Sequence, residues 1–255
     1  MTNALWYRNW IDTRWRFLIG MILLGFAAVS TVMAYPGIVD LLPLAANMNP
    51  DTLLGRVVSE ELTLNSTYRG YMWSQMYRQQ WVELTTLFAA LLGTMNPVTP
   101  GSGRGTLFLL SLPVSRARLY HTRAITGLLE LLLLVLLPAT LLTLASPAIA
   151  QNFSIIDALA HGVCLFAAAT VLFSVAAFLS TLFDDLWRPL LLTCLVAALI
   201  AITAPLFGKF SLEWVMSGES YFYTGAMPWF GLAICGVLSA SVIYAGARVL
   251  ESRDF

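Results

Sequence analysis

Residues 158–183 read ALAHGVCLFAAATVLFSVAAFLSTLF, from Ala158 to Phe183, without one Asp, Glu, Lys or Arg. A helix of this length exceeds the roughly 30 Å of a bilayer's hydrocarbon core at about 1.5 Å per residue. His161 is the one ionisable side chain of the stretch besides the Cys164 thiol, and it lies near one end. Nothing in the block alternates as a half-buried strand does, so the stretch reads as a transmembrane helix. The rest of the chain supports this outward from the block. Of its 255 residues, 58% are hydrophobic and only 11% charged, where a soluble domain carries about 25% charged residues to face water.

Further apolar blocks place spans at about 17–35, 81–95, 125–145, 189–206 and 229–250, which makes six with 158–183. Pro36-Gly37 is expected to end the first and Pro138 to kink the third. Before the first span, residues 1–16 set Trp6, Trp10 and Arg14 at helical spacing, which suits a short helix lying in the headgroup region. Those charges and tryptophans, and the length of the apolar run after them, do not fit a cleavable signal. Residues 38–80 are mixed and polar. Asn49-Pro50-Asp51 is a helix start, and Leu53, Leu54, Val57, Val58, Glu61 and Leu62 suggest a short amphipathic helix. Tyr68, Tyr71, Trp73, Tyr77 and Trp81 form an aromatic lead into the second span. The whole chain, 1–255, is expected to be a single transmembrane domain.

Basic residues set the expected orientation. With the N-terminus inside, the cytoplasmic side carries Arg8, Arg14, Arg16, Arg104, Arg116, Arg118, Arg123, Arg188, Arg248 and Arg253. The opposite side carries Arg56, Arg69, Arg78 and Lys209. Ten against four is a positive-inside bias, so both termini are expected in the cytoplasm. The balanced net charge and the lack of a long basic run exclude nucleic acid as a partner.

The sequence offers no catalytic constellation. It has no phosphate-binding GxxxxGK[ST] loop, and its single lysine, Lys209, falls in an expected external segment. Gly101-Ser-Gly-Arg-Gly105 follows a membrane span rather than a strand and reads as a flexible joint. Glu60-Glu61 lies in a polar loop without the arginine a paired-glutamate protease requires, and no GxSxG elbow is present. Cys164, Cys194 and Cys235 follow no ligand spacing and read as packing residues, so no metal is expected. Two acids lie within apolar runs: Glu83, near the outer start of the second span, and Glu130, about two turns inside Arg123. Charge at such depth is costly and should face protein or a watery path, as a helix–helix hydrogen bond or as a polar contact at a subunit seam or on a substrate route.

The most informative stretch follows the second span: Gly105-Thr-Leu-Phe-Leu-Leu-Ser-Leu-Pro-Val-Ser-Arg-Ala-Arg-Leu-Tyr120. An apolar run at helical spacing, closed by Pro113 and followed by Arg116 and Arg118, suits a surface helix that docks on a partner or rests on lipid. Here the chain resembles the permease subunits of ATP-binding-cassette exporters of the ABC-2 type. Those carry a similar stretch, matched at Gly105, Thr106, Leu107, Leu109, Leu110, Ser111, Leu112, Pro113, Val114, Ser115 and Arg116. The Trp/Arg-rich start resembles the family's elbow helix, Arg123 its basic start of the third span, and Leu250-Glu-Ser-Arg-Asp254 its tail. Gly101, Ser102, Gly103 and Arg104 depart from it, standing where the family has acidic residues.

The resemblance implies an all-α membrane protein of six transmembrane helices with an N-terminal interfacial elbow helix and a cytoplasmic coupling helix. A separate cytoplasmic ATPase would hold ATP and Mg and dock on 104–118, leaving this chain without cofactor or covalent chemistry. A second permease chain, identical or related, would complete the path across a bacterial or archaeal inner membrane. An ion-coupled secondary transporter, a membrane-embedded enzyme and a non-transporting assembly or sensory subunit are the alternatives. Spans so poor in polar groups suit a lipidic, peptide or hydrophobic drug-like cargo.

Overall fold

A computed structural model describes residues 2–45, 61–94, 115–183 and 185–252. Of the amphipathic helix expected after Asn49, the part up to residue 60 lies outside the described residues, while Glu61 and Leu62 are helical; Arg104–Val114 also lie outside. Every regular element among the described residues is helical. In chain order these are α1 (Thr2–Ala45), α2 (Tyr68–Met72), a π-helical stretch (Trp73–Gln80), α3 (Trp81–Gly93) and α4 (Arg116–Ala145), then α5 (Ile155–Leu182) and α6 (Trp187–Phe207). Two short helices follow, α7 (Leu212–Met216) and α8 (Glu219–Thr224), before α9 (Trp229–Ser252). Five helices are long and apolar enough to cross a membrane, carried by α1, α4, α5, α6 and α9.

Helix α5 is the hub. It packs on α3, α4, α6, α7 and α9, and its residues are mostly small on the faces that meet neighbours, with Ala168, Ala169, Ala176 and Ala177 fully buried. Small side chains let backbones approach, which is the main source of helix association where lipid removes the hydrophobic drive. In its apolar window 61% of residues are buried, against 17% for α6 and 22% for α9, so the last two turn most of their surface outward.

Three expectations about boundaries are corrected. First, the N-terminal stretch is not a separate helix: α1 is continuous for 44 residues, about 66 Å if straight, and does not stop at Pro36-Gly37. Tyr35 is buried against Tyr68 and Tyr71 on that side of the proline, and Ile38 packs on the core beyond it. That packing outweighs the hydrogen bond a proline removes.

Second, the helix of the second span begins well before the expected 81 and takes in the aromatic lead. Helix α2, the π-helical stretch and α3 run on without a break from Tyr68 to Gly93, and the Trp81 N–H reaches the Met76 carbonyl at the wider π spacing. This segment is longer than the hydrocarbon core but is not apolar enough to count with the five, because Ser74, Gln75, Arg78, Gln79 and Gln80 lie along it. Third, α4 starts at Arg116, well before the expected 125, and continues through Pro138. The other ends agree within a few residues.

The helices alternate in direction, and cross-contacts define two ends. At one end Arg16 of α1 meets Thr94 after α3, and a side chain at Gly246 of α9 would meet Tyr120 of α4 and Phe178 of α5. At the other, Tyr35 meets Tyr68, and Tyr68 meets Ser146 and Phe153. The first end carries Arg8, Arg14, Arg16, Arg118, Arg123, Arg188 and Arg248; the second carries Arg69, Arg78 and Lys209. They are called below the basic end and the aromatic end.

Candidate functional site

At the basic end a polar node joins three helices. Thr13 of α1 donates its hydroxyl hydrogen bond to the Glu130 carboxylate of α4, and both side chains are buried. Glu130 Oε2 finds no partner among the described residues. One turn along α1, Arg16 Nη1 donates to the Leu91 carbonyl at 2.9 Å and to the Thr94 carbonyl at 3.1 Å. These are carbonyls at the C-terminal end of α3, which a helix leaves without internal partners and which a cation satisfies well. Asp12 and Arg123 pair across α1 and α4 at 4.0 Å. The chain leaves α3 at Thr94 toward 95–114 and returns at Ser115, whose side chain caps α4 by accepting from the Arg118 N–H at 3.3 Å. Arg16 thus binds Thr94, the last described residue before 95–114, and Ser115 caps the helix that follows.

The aromatic end is a second cluster that the sequence reading left mostly unassembled. The Trp73 ring stacks on Phe222 of α8 with centroids 4.2 Å apart, and its N–H donates to the Ser217 carbonyl at 3.0 Å. Asp157 of α5 accepts from Arg69 at 3.1 Å and from the Tyr221 hydroxyl at 2.9 Å. Partial burial pushes the Tyr221 phenol above its usual range, and the adjacent Asp157 carboxylate adds to the shift. Beneath them His161 donates from Nδ1 to the Asp157 carbonyl at 2.8 Å and lies 4.6 Å from the Tyr77 ring. Gly218, at φ 65°, admits this approach, since a Cβ there would sit 2.9 Å from the His161 ring. Fully buried Tyr77 Oη, Trp81 Nε1, Thr85 Oγ1 and His161 Nε2 find no partner among the described residues. The aromatic spacing from Tyr68 to Trp81 was the available sequence signal for this cluster, while Asp157 and Ser217 gave none.

A third feature lies between the π-broken segment and α6. It is a groove of about 430 Å³, walled by Val82, Thr86, Leu87, Leu172, Ala197 and Ala201 among others, with Arg78, Glu83 and Glu213 also lining it. Glu83 lies in the first turn of α3, near the start of the expected span, and the helical segment continues outward past it to Tyr68. A neighbouring hollow of about 570 Å³ separates α7 from α9.

The two intramembrane acids are not brought together: Glu130 serves the node and Glu83 the groove. Gly105, Thr106, Leu107, Leu109, Leu110, Ser111, Leu112, Pro113 and Val114 lie outside the described residues, as does Arg104. Arg116 is placed as the first residue of α4, and Arg118 is exposed there. Among the described residues no three His, Cys, Asp or Glu side chains gather as a metal site would require. Cys164 and Cys235 are buried and unbridged. Set against family models, curated proteins and solved structures, the chain matches none.

Proposed function

We propose that this chain is the membrane-spanning permease subunit of an ATP-binding-cassette exporter of the ABC-2 type. It works with a separate cytoplasmic ATPase and with a second permease chain, identical or related. The observation that carries the reading is the Gly105–Arg116 sequence stretch. Its support is mechanical. A displacement of the 95–114 segment would pass through Thr94 and Arg16 into α1, and through the Ser115 cap into α4.

The unbroken Tyr68–Gly93 segment is read as the sixth span, the basic end as cytoplasmic and the membrane as a bacterial or archaeal inner membrane. The projecting start of α1 takes the part of the elbow, and 104–118 that of the coupling helix. ATP and Mg belong to the partner; this chain supplies a path and the motion of its walls.

The test is co-purification of the tagged chain from its native membranes in mild detergent, with variants at the docking stretch. A stoichiometric ATPase is expected with the parent chain. It should be lost in R116E/R118E and on breaking the helix by Leu109→Pro, while the elution profile and helical content stay unchanged. A chain that retains its ATPase and transport in both variants contradicts the placement of the docking stretch; one that never carries an ATPase contradicts the reading itself. The second reading, an ion-coupled carrier, is favoured by one observation: Glu83, within a helical segment, has no ion pair among the described residues. It predicts uptake into liposomes driven by an ion gradient alone.

A further inference from the structure

We propose that the groove between the π-broken segment and α6 binds a lipophilic cation, with the positive charge against Glu83 and the apolar body against Val82, Leu87, Leu172, Ala197 and Ala201. That such a compound is cargo rests on the permease reading, whereas its binding does not.

Depth comes first. From Gly93, where α3 ends, back to Glu83 is about 15 Å at 1.5 Å per residue. That is half of a hydrocarbon core of about 30 Å. On the facing helix, Trp187 to Ala197 covers about the same rise, so the alanines of α6 lie at the level of the carboxylate. An ionised carboxylate at this depth is costly unless it is paired or reached by water.

Charge comes next. Among the described residues Glu83 has neither a hydrogen bond nor an ion pair, and neither has Glu213, which lines the same groove from α7. By contrast, Asp157 is engaged by Arg69 and Tyr221, and Glu130 by Thr13. The one cation lining the groove among the described residues, Arg78, pairs with Glu61 at 3.4 Å and lies over the Trp73 ring. Two carboxylates, on the exposed Glu83 and the half-buried Glu213, are thus left at a groove whose remaining walls are mostly apolar.

Shape narrows the class. A volume of about 430 Å³ is in the range of small-molecule sites. Ala197, Ala198 and Ala201 create it by withholding side-chain bulk along one side of α6. A bare metal ion would need several converging oxygen ligands. Glu83 and Glu213 are the acids on these walls among the described residues, and no three His, Cys, Asp or Glu side chains gather there. The Thr86 hydroxyl already points to Met216 Sδ at 3.9 Å. A sugar would leave its hydroxyls unpaired against alanine and leucine. A bulky organic cation satisfies both the charge and the walls.

The experiment is equilibrium binding of radiolabelled tetraphenylphosphonium to the full chain in nanodiscs of zwitterionic lipid. Tetraphenylborate, of the same shape and opposite charge, is the competitor. Saturable binding is expected, unaffected by tetraphenylborate, weakened tenfold or more in Glu83→Gln and largely kept in Glu83→Asp. Filling the groove with Ala201→Trp should also abolish it without altering any charge.

Absence of saturable binding overturns the proposal, as does an affinity unchanged in Glu83→Gln. Equal competition by tetraphenylborate overturns it too, since the groove would then be apolar without selecting charge. So does an Ala201→Trp variant that disrupts self-association while cation binding persists, because a second copy of the chain would then be the occupant. The measurement uses the chain without its ATPase. Cation binding in a chain that captures no ATPase leaves the groove standing and removes the permease reading; an ATPase captured by a chain that binds no cation does the reverse.

Discussion

Arg16 ties two helices together with a single side chain. Its guanidinium is half-buried and donates to the Leu91 and Thr94 carbonyls, so its removal leaves helix-end acceptors unpaired. Charge-assisted hydrogen bonds of this kind are worth about 1.5–3 kcal/mol. Arg16→Ala should therefore lower the unfolding midpoint in detergent by an amount matching roughly 1–3 kcal/mol. Arg16→Lys, with one ammonium in place of the fork, should recover part of it. An unchanged midpoint in Arg16→Ala would mean that this clamp carries no load.

Gly93 makes a second residue-scale case. A Cβ there would lie 2.5 Å from the Phe173 carbonyl oxygen and 2.7 Å from Ala176 Cβ, so α3 and α5 approach each other as closely as glycine permits. Gly93→Ala should destabilise by about 1–3 kcal/mol through forced separation of the pair. Gly236→Ala, with open space around its Cβ, should not. Thermal melts of the two variants side by side decide the point.

Among the elements, the π-broken segment is the one that most changes the picture given by hydropathy. Trp73, Met76, Tyr77 and Trp81 are buried against the bundle, while Arg78, Gln79 and Gln80 face outward. Wherever those polar groups face a groove or a partner rather than lipid, a transmembrane segment escapes the penalty that makes other spans uniformly apolar. That is why its outer half read as a polar, aromatic lead and not as part of the apolar span. The continuous α1 escaped for the opposite reason: Pro36-Gly37 is a strong local stop, and only the distant packing of Tyr35 on Tyr68 and Tyr71 overrides it.

Trp73 holds the outer half of the segment to α8. Trp73→Ala loses the stack on Phe222 and the bond to Ser217, and removes a fully buried side chain, so a loss of about 3–5 kcal/mol is expected. Trp73→Phe should keep most of the stack. Proteolysis within 208–228 reads the detachment directly: faster cutting in the alanine variant supports the clasp, and equal rates contradict it.

For the molecule as a whole, the five helices long and apolar enough to cross a membrane were among the six spans read from the sequence, because lipid imposes composition on residues that face it. The charge asymmetry was equally plain, and the contacts between helix ends sort the described basic residues onto the same two sides. What the sequence did not yield were the pairings between elements, such as Thr13 with Glu130, Arg69 with Asp157, and Glu83 facing α6. Each joins residues far apart in the chain and depends on helix rotation about its axis, which a nearly uniform apolar surface does not encode. The stretch proposed to dock an ATPase was legible only as a motif, and Arg104–Val114 lie outside the described residues.

The account stands on a division of labour between this 28.0 kDa chain and an ATPase that it lacks. Native mass spectrometry of the complex, released gently from its own membranes, tests that most directly. The account predicts one assembly holding two permease chains, identical or related, and two copies of a soluble ATPase, which fall away together when the docking stretch is altered. A spectrum of the 28.0 kDa chain alone, or only of its multiples, would contradict it.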